Sequence, residues 1–92
     1  MLKIVDGKVW HDGQKIGWIE GVHIRGNDGA KLGYIEGIYI YNEAGRKVAY
    51  IEENTLHFEN GDPAVPIQHI NQHVLGTDPL IMKCAVHVLL ED

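Results

Sequence analysis

Apolar and polar positions repeat along the first two thirds of the chain with a period of sixteen residues. Gly13, Gly29, Gly45 and Gly61 mark that period, and similar runs follow the first three: QKIGWIEG from Gln14, AKLGYIEG from Ala30 and RKVAYIEE from Arg46. The fourth copy, DPAVPIQH from Asp62, is degenerate. Read by column, the repeat aligns Lys15, Lys31 and Lys47; Gly17, Gly33 and Ala49; Trp18, Tyr34 and Tyr50; Ile19, Ile35 and Ile51; and Glu20, Glu36 and Glu52. A fixed period of this length means supersecondary units that bury their faces against one another.

Each unit reads as a β-hairpin. Asp12-Gly13 and Asn60-Gly61 supply positive φ at tight turns, while Asn27-Asp28-Gly29 and Glu43-Ala44-Gly45 suit slightly longer ones. The expected incoming strands are Lys8 to Trp10, Val22 to Ile24, Ile38 to Ile40 and Thr55 to Phe58, and the quoted runs are the outgoing ones. Simple alternation puts Ile16, Trp18 and Glu20 on one face and Lys15, Gly17 and Ile19 on the other. A glycine inside a strand marks a crowded junction, so Gly17, Gly33 and the small Ala49 are expected to make room for an aromatic ring of the next unit. Lys3 to Gly7 reads as the tail of a further unit, which predicts that the first residues pair with Thr55 to Phe58 and close a ring.

The run of G-[WY]-I-E-G phrases between D-G and N-G turns resembles the four-fold beta flower family of small bacterial domains, over about residues 1 to 61. The resemblance implies a fold, four hairpin petals around a pseudo-four-fold axis, and no activity. The fourth unit departs from the pattern, with Pro63 and Pro66 where strand residues would stand.

After Gly61 the pattern changes. PIQHINQHVLG begins with proline and stops at glycine, as a short helix does, and Thr77-Asp78-Pro79 caps a second one from Leu80 to Glu91. Alternating apolar residues leave a strand from Met82 to Leu90 open as the other reading. The second helix is apolar almost all round, which predicts burial on more than one side, against the hairpins and against a second copy of itself. The expected fold is therefore mainly β with a small α part: a four-petal antiparallel hairpin repeat at 1–61 and one or two short helices at 62–92, in a single domain of 92 residues.

A chain this short barely offsets its conformational entropy, which favours a homo-oligomer, a dimer first, with a protein partner as the other option. No apolar run approaches a membrane span, and the N-terminus lacks the pattern of a secretory signal. Cys84, the single cysteine, can form no internal disulfide. These features point to a soluble, cytoplasmic protein. A net charge of -5 argues against nucleic acid as a partner.

Candidate chemistry is sparse. His69 and His73 stand four apart, Cys84 and His87 three apart, and an antiparallel helix pair would gather all four into a zinc site. The spacing fits no usual finger pattern, so the favoured reading keeps Cys84 as an inert buried thiol, with no metal and no cofactor. Glu20, Glu36 and Glu52 could form a negative rim for a cation or basic peptide, although solvated strand ends paired with the lysine column explain them as well. The rings of Trp10, Trp18, Tyr34, Tyr39, Tyr41, Tyr50 and Phe58 suit sugar or peptide recognition, against the favoured reading that they are the core. Serine is absent and no phosphate loop is present, which leaves Cys84 with His87 as the one conceivable nucleophile and base, so the balance is against an enzyme and no catalytic residue is assigned. The expected function is a small binding or assembly module that self-associates through its apolar C-terminal helix. The alternative is a sugar- or peptide-binding or enzymatic domain with its site at the repeat axis or between subunits, and the zinc site is a lesser one.

Overall fold

A computed structural model describes residues 1–90. Its strands are β1 (Leu2–Val5), β2 (Lys8–His11), β3 (Gln14–Glu20), β4 (His23–Gly26), β5 (Lys31–Glu36), β6 (Tyr39–Asn42), β7 (Lys47–Glu52), β8 (Thr55–Phe58), β9 (Val65–Pro66) and β10 (Val74–Leu75). Helix α1 (Ile67–His73) joins β9 directly to β10, and α2 (Leu80–Leu90) ends the described chain. The architecture is thus mainly β, one ten-stranded sheet with two helices. Position 91, the last of the expected second helix, lies outside the described residues.

The strands follow one another as a meander in the order β10-β1-β2-β3-β4-β5-β6-β7-β8-β9, antiparallel throughout except for β10 beside β1. Asp12-Gly13 turns with φ of 50° and 85°, the mirror-image geometry whose twist matches the flanking strands. At the longer turns a side chain replaces the missing strand partner: the Asn42 carbonyl accepts from the backbone N–H of Ala44 and of Arg46 at 3.0 Å each, and Asp28 accepts from Ala30 N–H at 3.0 Å. Val22 and Ile38 belong to the turns rather than to β4 and β6, and stand 48% and 46% exposed.

Three hairpins share an irregularity that breaks the simple alternation. Val9 faces Gly17 while Trp10 faces Lys15, and the same skip recurs between Ile24 and Arg25 and between Ile40 and Tyr41. Ile16, Leu32 and Val48 are therefore the extra residues of β-bulges. The bulge turns Ile16 and Val48 towards the core, and it puts Lys15 on the side of Trp18, with its ammonium 5.1 Å above the indole.

The core lies on one side of the sheet. Val9, Ile24, Ile40 and Leu56, the central residues of the incoming strands, are fully buried with Leu2 and Ile4, against Ile70, Val74, Cys84, Ala85 and Val86. Each large aliphatic side chain so buried contributes roughly 1.5–3 kcal/mol relative to exposure. No tryptophan or tyrosine belongs to the buried core among the described residues, and of the rings expected there Phe58 alone packs against it. The space above the strand glycines belongs to α2: a β-carbon on Gly17 would stand 3.1 Å from Leu90, and one on Gly33 would stand 2.8 Å from Leu89. The expected neighbour was an aromatic ring. Each β-carbon would also run into a backbone carbonyl of the next strand, that of Arg25 at Gly17 and that of Tyr41 at Gly33, so strand backbone and α2 together, and not a ring, claim the space.

The N-terminal strand does not pair with β8. β1 lies between β2 and β10, and β8 between β7 and β9. The eroded fourth unit keeps two strand residues, Val65 and Pro66, enough to occupy the free edge of β8, with Ile67 N–H donating to the Asn54 carbonyl at 3.0 Å. β1 is left to take β10, and α1 spans from one end of the sheet to the other. Pro66 is the N-cap of α1, as its missing N–H allows. For Met82 to Leu90 the helix prevails over the strand, started at Pro79, whose carbonyl accepts from the N–H groups of Met82 and Lys83. Beyond the sheet, α1 and β10 also pack against α2 within the chain. No helix among the described residues is long and apolar enough to cross a membrane.

Candidate functional site

The face of the sheet away from α2 carries the tryptophans and tyrosines, each on a strand position that alternates with a buried one. Cross-strand register then decides which rings meet. Tyr34 opposes Tyr41 and stacks on it at 5.0 Å between centroids, 8° from parallel. Tyr50 opposes His57 and stacks at 5.1 Å, His23 leans on Tyr34 at 5.8 Å, and Tyr39 leans on Tyr50 at 6.4 Å. Lysines occupy further ring faces: Lys15 lies over Trp18, and Lys47 over Tyr39 at 4.6 Å. Ring against ring and lysine against ring thus cover at least one face of each of these side chains.

Trp10 is the exception. Among the described residues no ring or cation lies over its indole: Lys15 of β3, which faces it on one side, lies over Trp18 instead, and on the other side Lys3 of β1 opposes it, with Leu75 of β10 opposing Lys3. Here the surface opens into a cleft of about 540 Å³ lined by Met1, Lys3, Val5, Trp10, Asp12, Gly13 and Leu75. Met1, Val5 and Leu75 are 57%, 41% and 42% exposed, an apolar surface that a monomer leaves in water. Its charged groups are Lys3 on one wall and Asp12 on another, the latter 3.4 Å from the Met1 ammonium.

No protein-family model, no curated protein and no solved structure matches this chain.

The residues singled out by sequence fall in different places. His69 and His73 lie side by side on α1 with ring centroids 4.1 Å apart, and His87 of α2 stands edge-on to His69 at 6.4 Å. Cys84 is buried in the core, and among the described residues no three His, Cys, Asp or Glu side chains are arranged to hold a metal ion. Burial pushes the Cys84 thiol up to about 11, so it stays protonated at neutral pH and is a poor nucleophile. Glu20, Glu36 and Glu52 do share one rim, exposed at the ends of β3, β5 and β7. They do not pair with the lysine column, since five residues of extended strand separate Lys15 from Glu20, about 16 Å. Glu20 instead meets Arg25 at 3.3 Å, and Lys47 meets Glu59 at 3.4 Å. Lys3, Asp12 and Leu75 were not legible as site residues, because the register of β1 against β10 is what assembles them. The one signal was negative: they lie where the repeat begins and where it fails.

Proposed function

We propose that this chain is a non-catalytic assembly module, working in the cytoplasm, that pairs with a second copy of itself through the cleft over Trp10. Its frame is the flower-like, pseudo-four-fold set of hairpins, supported by the bulges that recur at equivalent points of three of them. The observation that carries the reading is the open indole face of Trp10 among exposed Met1, Val5 and Leu75. The cleft also carries both signs of charge, Lys3 and Asp12, which an isologous pairing would set against each other across its two-fold axis. Aromatic anchors in apolar pockets are the groups that dominate such contacts. This reading places the contact at the cleft and not at helix α2, whose described residues are all buried or half-buried, whereas Met1, Val5 and Leu75 are exposed.

The volume of the cleft favours one second reading, a small apolar ligand, since pockets of this size hold one. Light scattering on the wild type, Trp10→Ala and Leu75→Glu separates the two. A wild-type dimer, with both variants monomeric and folded, is the expected result. A wild type that stays monomeric at high concentration, or variants that still dimerise, would overturn it.

A further inference from the structure

We propose that His69 and His73 chelate a divalent transition-metal ion, and that the ion acts as a clamp on the seam where the two ends of the sheet are joined. The site is independent of the Trp10 cleft. Both imidazoles are exposed, one helical turn apart on α1, with ring centroids 4.1 Å apart and planes inclined by 33°. That spacing lets two side chains of one helix reach a common ion, and imidazole is the ligand that suits zinc, nickel and copper. Ile67 and Ile70, buried in the core, hold the neighbouring side of α1 against it and leave the two histidines outside. The ion would take two imidazoles, with water completing its coordination. It would sit on the side of α1 that faces His87 of α2.

The consequence comes from where α1 lies. β9 ends at Pro66, α1 begins at Ile67 and ends at His73, and β10 begins at Val74, with no linker on either side. Seven residues therefore hold together the first and last strands of a sheet whose other neighbours are bound by hydrogen bonds. This helix is intrinsically weak: its N-cap makes no side-chain hydrogen bond, its first turn carries no acidic residue, and its length is well below what sustains a helix by propensity alone. A chelate bridging positions four apart fixes that turn in helical geometry. An ion that binds the folded chain more tightly than the unfolded one raises stability by mass action, so occupancy of the pair should register as strengthening of the whole sheet.

Metal-free protein is titrated with nickel or zinc chloride in a calorimeter and melted with and without the ion, with magnesium as control. Saturable binding of one ion per chain is expected, with a rise in melting temperature that magnesium does not give. His69→Gln and His73→Gln, both surface changes whose folding circular dichroism verifies, should each lose binding and rise together. The proposal fails if neither metal binds, if an ion binds without raising the melting temperature, or if the rise survives in the double variant.

Discussion

Leu89 of α2 fills the space above Gly33 of β5 that a side chain would claim: a β-carbon there would lie 2.8 Å from the leucine and would also run into the carbonyl of Tyr41 on β6. The leucine can swing away, whereas the carbonyl belongs to a paired strand and cannot. Gly33→Ala is therefore expected to destabilise the protein by about 1–3 kcal/mol, the usual cost of overpacking a filled core. Adding Leu89→Ala should recover none of the part due to the carbonyl while opening a cavity of its own, so the double variant should be no more stable than Gly33→Ala alone. Urea unfolding of the three proteins measures this, and a double variant restored to wild-type stability would show that the helix alone sets the glycine.

The turn between β7 and β8 is strained in a way its counterparts are not. Glu53 and Asn54 adopt φ of 52° and 59°, where Gly21 and Gly37 stand at the start of the equivalent turns. A side chain in the left-handed region costs roughly 1–2 kcal/mol relative to the right-handed one, less for asparagine, and Asn-Gly is the pair that this turn geometry favours. Replacing Glu53-Asn54 by Asn-Gly should raise the melting temperature by several degrees, since about 1 kcal/mol moves a domain of this size by roughly 4–8 °C. Thermal unfolding checks it, and a lower melting temperature would refute it.

Cys84 links stability to alkaline pH. Its thiol is raised by burial from 9.0 to about 11, so between these values the unfolded chain releases a proton that the folded chain retains. Stability contributed by the buried neutral thiol is present in full below pH 9 and declines as pH rises towards 11. Denaturation at pH 8 and pH 10 should show a steeper loss in the wild type than in Cys84→Ala. Thiol labelling of the folded protein near neutral pH should be slow and should accelerate on unfolding.

The pattern of apolar and turn residues determined by itself that the chain is a series of hairpins: the glycine period placed the turns, and β-branched and aromatic residues between them placed the strands within a residue or two. Proline at Pro66 and Pro79 likewise announced both helices, since local backbone restriction is written in residue type. What the sequence could not determine is which surfaces those elements turn towards one another. The bulges at Ile16, Leu32 and Val48 shift the alternation of the outgoing strands, and they arise from strand register rather than from side-chain character. Whether Gly33 makes room for a ring or for Leu89 depends on how α2 crosses the sheet. The pairing of β1 with β10, which gathers Lys3, Trp10 and Leu75 around one cleft, joins residues more than seventy positions apart. No local pattern encodes a contact at that range; competition among all the strand edges of the folded chain decides it.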